Sequence, residues 1–109
     1  DLVEFTADLQ ARSGIMIACF GHAGDGNIHT NLMLGDYSNP SVREQAETVL
    51  DELFQWVIAQ GGVITGEHGV GLAKQRWFPQ AVGEVSFDVH RSIKRALDPK
   101  GILNPGKFL

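Results

Sequence analysis

The chain has 109 residues, enough for a single domain with one modest core. Its hydrophobic share of 43% and mean hydropathy of -0.06 are those of an ordinary soluble globular domain. A net charge of -4 and an isoelectric point near 5.4 exclude a duplex nucleic-acid binder, which needs a basic face. No apolar run approaches the roughly 18 residues of a membrane span, and no basic stretch leads into an apolar signal core. The lone cysteine, Cys19, excludes an internal disulfide. Set in "IMIACF", it is expected to be a reduced core thiol.

The opening "DLVEFTADLQARSG" places Leu2, Phe5 and Leu9 at steps of three and four, as the tail of a helix would. With no initiator methionine, it reads as the start of a fragment of a longer protein. After Gly14, the run "IMIACF" suits a strand buried on both faces. "GNIHTNLML" then alternates, with Ile28, Leu32 and Leu34 at even positions, and reads as a second strand. Asn39 before Pro40 is an N-cap followed by proline at the first helical position. Residues 40–60 carry an apolar stripe through Val42, Ala46, Val49, Leu50, Leu53, Phe54 and Val57, closed by Gly61-Gly62. "GVIT" (62–65) is expected as a short buried strand before the glycine-rich "GEHGVGL". A last helix over 84–97 has Val85, Val89, Ile93 and Leu97 in steps of four, and Asp98-Pro99-Lys100-Gly101 stops it. The order is that of an α+β domain, a small sheet with helices on one side. Three strands leave bare edges, which a partner domain or a second copy would complete.

Two of the chain's four histidines flank a Gly-Asp-Gly core in "GHAGDGNIHTN" (21–31). If Asp25-Gly26 form a two-residue type I′ turn, Gly24 faces Asn27, Ala23 faces Ile28, and His22 faces His29. Directly opposed Cβ atoms lie about 4.5–5.5 Å apart, close enough for two imidazoles to converge on one metal ion. Asn31 shares the face of His29, while Ile28, Leu32 and Leu34 turn to the core. The alternatives are satisfied polar histidines beside a glycine-rich turn, or a phosphate-cradling loop. The latter lacks a Gly-Lys-Ser/Thr ending, and Asp25 would repel an anion.

"ITGEHGVG" sets Glu67 and His68 between glycines at a strand end. Two histidines and one glutamate form a zinc-type set with an open coordination position. Neighbours in extended backbone point to opposite sides, so one of Glu67 and His68 can bind metal while the other stays free for proton transfer. A glycine-rich loop with a surface carboxylate is the competing reading. The HExxH pattern of zinc proteases is absent. Lys74, Gln75 and Arg76 read as a solvated face, His90 as a structural or exposed helix residue, Trp56 and Trp77 as packing residues, and Asn104 as a turn residue.

Taken together, "GHAGDGNIHTN", "GGVITGEHGVGLAK" and "LDPKGILNPGK" resemble the C-terminal part of FAD-linked oxidases of the vanillyl-alcohol-oxidase superfamily. The group most resembled comprises D-lactate dehydrogenase, D-2-hydroxyglutarate dehydrogenase and glycolate oxidase, over residues from about Ile15 to the end. The resemblance implies oxidation of a D-2-hydroxy acid to a 2-oxo acid, with hydride passed to FAD. It implies that His22, His29 and Glu67 hold a divalent metal, zinc or manganese, that Asn31 contacts substrate, and that His68 is the catalytic base. Asn104, in the closing "LNPGK", is implied as a cofactor contact. It also implies part of a ferredoxin-like cap domain, with the FAD-binding domain elsewhere in the protein and these 109 residues inactive alone.

The partners so implied are that N-terminal FAD-binding domain, a small 2-hydroxy acid and an electron acceptor of unspecified identity, with a homodimer through the sheet edge as a further option. The expected location is cytoplasmic, or peripheral to a membrane through the electron acceptor. Readings from other classes are a stand-alone metal-binding or assembly module and a metal-dependent hydrolase, since a His, His, Glu set can also activate water.

Overall fold

The computed structural model describes residues 1–22 and 24–109. These form two compact units, Asp1–Trp56 and Val57–Leu109, and the class is α+β: three helices and a two-stranded antiparallel sheet.

In the first unit, α1 (Leu2–Ser13) is a helix with both ends satisfied. The Asp1 carboxylate accepts the amides of Val3 at 3.0 Å and Glu4 at 3.2 Å. Glu4 completes the capping box, and the Gly14 amide closes the far end on the Gln10 carbonyl at 2.9 Å. The helix buries Thr6 and Leu9. Strands β1 (Met16–His22) and β2 (Asn27–Met33) follow as a hairpin.

Only one face of that hairpin is covered. Ile17 and Cys19 on β1, with Ile28, Thr30 and Leu32 on β2, are half-buried. Met16, Phe20 and Met33 on the other face are each more than half exposed. The expectation of a strand buried on both faces is therefore corrected to an alternating one. Cys19 is a half-buried thiol: its Sγ lies 3.4 Å from the Thr6 hydroxyl of α1 and 3.8 Å from that of Thr30. The Gln10 side chain also accepts the Ile17 amide at 2.7 Å, satisfying a strand donor that β2 does not reach.

Helix α2 (Pro40–Ala59) begins as expected, with the Asn39 carboxamide oxygen accepting the Ser41 amide at 3.0 Å. Its apolar stripe buries Ala46, Val49 and Leu53. Arg12 of α1 reaches Glu52 of α2 at 2.9 Å, Gln45 donates to the Ser13 carbonyl at 2.7 Å, and Phe5 stacks on Trp56 at 4.6 Å between ring centroids. These contacts clamp α1 along α2. The stack makes Trp56 a packing residue, as expected.

In the second unit, the Gly61 and Gly62 amides close α2 on the carbonyls of Ile58 and Val57, both at 2.9 Å. Residues 62–65, expected as a third strand, are not extended in a sheet. Ile64 is buried and Val63 exposed. Residue 62 is already committed to capping α2, and no described strand pairs with 63–65, so the segment lacks the ladder that would make it a strand.

Helix α3 (Phe78–Leu97) is broken at Gly83, where φ is 76° and ψ is 164°. The helix expected over 84–97 is its second part, and residues 78–82 form a preceding short stretch opened by Pro79. Its stripe of Val85, Val89, Ile93 and Leu97 lies on the exposed side. The buried side is aromatic instead. Phe78 packs against Phe87, His90 and Phe108 at ring-centroid distances of 6.0, 5.2 and 4.8 Å, and large rings outweigh a valine stripe in buried area.

Past α3, Asp98 is only 7% exposed and holds the terminal segment. Its carboxylate accepts the Lys94 ammonium at 2.7 Å and the amides of Ile102 and Leu103 at 3.0 Å each. Lys94 also donates to the Leu103 carbonyl. The Asp98-Pro99-Lys100-Gly101 stop is thus a clasp built on one buried carboxylate.

Gly21 decides how the hairpin closes. A Cβ at this position would collide with the Asn27 carbonyl oxygen and lie 3.0 Å from Ile28 Cα. Gly21→Ala is expected to destabilise the chain by about 2 kcal/mol, measured by urea denaturation, with exchange protection lost first in β1 and β2.

Asp98 makes the stability of the second unit pH-dependent. The Lys94 ammonium, helped by the Leu103 and Ile102 amides, holds its carboxyl below the usual 3.8, against the opposing effect of burial. Stabilisation from the ionised form is complete above pH 3.8 and is lost as pH falls through the depressed folded value. Asp98→Asn is expected to lower Tm near neutral pH, with the difference from wild type closing as the pH drops below that range. Calorimetry from neutral to strongly acidic pH checks this.

Candidate functional site

The hairpin carries the histidine pair, and its register differs from the two-residue turn. His22 pairs with Asn27, Gly21 with Ile28, Phe20 with His29, and Ala18 with Asn31. Four residues therefore separate the paired ends, His22 and Asn27. The Asp25 amide closes the turn on the His22 carbonyl at 3.0 Å, and only Gly26 of the Asp-Gly pair takes a positive φ, 68°. A type I′ turn needs both central residues there, which aspartate adopts at a cost. Ala23, expected opposite Ile28, lies outside the described residues.

His22 and His29 are consequently not directly opposed; His29 faces Phe20. They still share a face. The turn differs from the expected one by two residues, and a strand's side-chain period is two, so each side chain keeps its side. His22 now stands diagonal to His29, a relation of about 7–8 Å between backbone positions that long side chains can bridge. His22 and Asn31 are exposed and His29 is half-buried, all on the hairpin's outer side. The hairpin thus has an outer side, which carries His22, His29 and Asn31, and an inner side, which carries Ile28 and Leu32.

Phe20 is the residue that sequence reasoning missed here. Its ring lies over the His29 imidazole with centroids 5.1 Å apart and planes inclined by 26°. The signal available was its place in the strand just ahead of the glycine-rich turn, legible as a pairing only once the length of that turn is known.

In the second unit, Thr65 to Gly69 form a closed loop. The Thr65 hydroxyl donates to the Gly69 carbonyl at 2.9 Å, and Gly69 takes φ 75°. Glu67 and His68 sit at its exposed tip, with Glu67 Oε1 3.8 Å from His68 Nε2. The expectation that these neighbours point to opposite sides is corrected. It assumed extended backbone, and the residues belong to a bend. A carboxylate beside an imidazole can orient the ring and stabilise its charged form after it takes a proton.

The remaining candidates are placed simply. Asn104 is exposed, with φ 48°, and its carbonyl accepts the Lys107 amide at 3.1 Å, so it acts as a turn residue. The His90 Nδ1 lies 2.7 Å from the Ser86 carbonyl, and its ring meets Phe78 edge-on. It is structural. Trp77 is buried beneath the Arg76 guanidinium, 4.0 Å from the ring centroid. Lys74 and Gln75 are half-buried, so the solvated face expected there is only partial, and burial pushes the Lys74 ammonium below its usual 10.5.

Residues 1–108 match the family described as FAD linked oxidases, C-terminal domain. The chain is 40% identical over 108 residues to the glycolate oxidase subunit GlcD of Bacillus subtilis, covering 99% of this chain and 23% of that protein. It is also 40% identical over 108 residues to the mitochondrial cytochrome-type D-lactate dehydrogenase of Kluyveromyces lactis, covering 99% of the chain and 18% of the relative. A D-lactate dehydrogenase of Anaerostipes hadrus is 33% identical over 108 residues, again 99% of the chain and 23% of the relative. The chain thus spans less than a quarter of the length of these relatives. With the family match running from Asp1 to Phe108, the chain belongs to the C-terminal domain family of FAD-linked oxidases.

Proposed function

We propose that these residues form the metal- and substrate-side domain of an FAD-dependent dehydrogenase acting on a D-2-hydroxy acid of the lactate, glycolate or 2-hydroxyglutarate type. The observation that carries this reading is the hairpin face shared by His22, His29 and Asn31, in a chain whose residues 1–108 match the C-terminal domain of FAD-linked oxidases. In this reading the FAD-binding part of the protein, a small 2-hydroxy acid and a separate electron acceptor are the partners.

Two imidazoles and a carboxylate suit a borderline divalent cation such as zinc, and also manganese. His22 and His29 would hold it, with Glu67 as third ligand. When bound, the metal provides a polarising positive charge and FAD a hydride acceptor. The rest of the work falls to this chain's side chains. The Asn31 carboxamide hydrogen-bonds and orients the substrate. The His68 imidazole takes the hydroxyl proton while the α-hydrogen leaves with its electron pair for the flavin, so that hydroxy acid becomes oxo acid. Asn104 is assigned a cofactor contact through its exposed turn.

The test of the overall reading uses the 109-residue chain and the longer polypeptide side by side. Flavin absorbance and dye-linked D-lactate or glycolate oxidation are expected only with the longer protein. Tight FAD binding with turnover by the 109 residues alone would overturn the division of labour.

Two substitutions separate the roles. His29→Ala is expected to reduce bound zinc or manganese, measured by elemental analysis, from about one equivalent to a small fraction, together with turnover. Unchanged occupancy removes His29 from the ligand set. His68→Ala is expected to keep the metal and slow flavin reduction by about 10²–10⁴-fold, read by stopped-flow absorbance. Reduction at the wild-type rate excludes His68 as the base.

A further inference from the structure

We infer that the exposed apolar face of α3 is the surface by which these residues dock against the FAD-binding part of the same polypeptide. The inference rests on the reading above, in which residues 1–109 belong to a longer flavoprotein. Val85, Val89, Ile93 and Leu97 recur every four residues along α3, and each is more than half exposed. Residues four apart form one ridge on a helix, a shape that fits the groove between side chains of an opposing element. Ile102 and Leu103, also more than half exposed, continue the patch past the end of the helix, and with Leu97 they line one hollow. Their backbone amides are held by the buried Asp98 carboxylate, which fixes the shape of the patch at that end.

Packing among the described residues does not account for these side chains. The buried side of α3 is already filled by Phe78, Phe87 and His90 with Phe108. Valine and isoleucine are weaker helix formers than alanine, glutamate or lysine, and a solvated helix face ordinarily carries charge. The size of the patch selects the occupant. From Val85 to Leu97 the ridge runs about 18 Å and is about 10 Å wide, a footprint of a few hundred Å². Separate chains bury roughly 800 Å² each in a stable complex, so a second copy is disfavoured. A covalently joined partner is present at an effective concentration on the order of millimolar, and a patch of this size then suffices. The relatives have the length to supply the opposing surface. This chain covers 23% of the Bacillus subtilis glycolate oxidase subunit and 18% of the Kluyveromyces lactis D-lactate dehydrogenase.

The test is radical footprinting of aliphatic side chains in the 109-residue chain and in the longer protein. Labelling of Val85, Val89, Ile93 and Leu97 is expected to fall about tenfold in the longer protein, as for side chains that pass from exposed to buried. Equal labelling in a longer protein that holds flavin overturns the docking and leaves the flavoprotein reading standing. A longer protein without flavin overturns both. Val89→Glu combined with Ile93→Glu puts two charges into the contact while keeping good helix formers in α3. In the longer protein this variant is expected to restore labelling of Val85 and Leu97 to the level of the 109-residue chain. In the 109-residue chain its urea midpoint is expected to match wild type. Loss of folding there shows that the face belongs to the chain's own core and overturns the proposal. Light scattering of the 109-residue chain is expected to report a monomer. A dimer in which labelling of this face falls with concentration gives the face to a second copy, and that also overturns it.

Discussion

The geometry of the histidine-bearing hairpin depends on one close approach, that of the Gly21 backbone to the carbonyl of Asn27. No side chain fits between them, so residue 21 must be glycine for β1 to pair with β2 as it does. That pairing sets Phe20 against His29 and His22 against Asn27. With these pairs in place, His22, His29 and Asn31 fall on one side of the sheet, while Ile17, Cys19, Ile28 and Leu32 turn inward. Backbone crowding at a single position thereby separates a face available for chemistry from a face available for packing.

The elements behind the hairpin hold that arrangement by ordinary means. Helix α1 supplies Thr6 to the Cys19 thiol and Gln10 to an exposed strand amide. Along α2, α1 is clamped by Arg12, by the stacked pair of Phe5 and Trp56, and by the Gln45 contact to its last turn. Polar groups at the margins are satisfied one by one, and the apolar core of this unit stays small: Leu9, Ile15, Ala46, Val49 and Leu53. Truncating any one large member to alanine costs on the order of 2–5 kcal/mol, a large share of the stability of so short a chain.

The second unit uses a different device. One buried carboxylate, that of Asp98, gathers a lysine and two backbone amides and turns the chain after α3. The turn brings Phe108 back onto Phe78 and His90. At the other end of this unit, the Thr65–Gly69 closure presents Glu67 and His68 together. Glycines serve both ends, since each loop reverses direction in too few residues for a regular element.

Much of this was legible in the residues. Proline after an N-capping asparagine, and paired glycines after an apolar stripe, mark α2 because they report on backbone donors and φ angles local to themselves. The sharing of a face by His22 and His29 was legible for a subtler reason. They are an odd number of residues apart, so any hairpin turn of even length leaves them on the same side. Their partners were not legible, because the turn length depends on whether Asp25 adopts a left-handed conformation or donates its amide to His22, and the surrounding backbone decides between the two. The third strand failed for a related reason: a strand exists only through a neighbour, which 62–65 do not find among the described residues. The four-step stripe of α3 correctly marked a helix but not its buried side, where Phe78, Phe87 and His90 of the helix meet Phe108 from beyond its end. Local periodicity and cap chemistry were thus determined by sequence alone. Register, the pairing of Phe20 with His29, and the choice of buried face came only from tertiary structure, because each depends on which distant group arrives to share the contact.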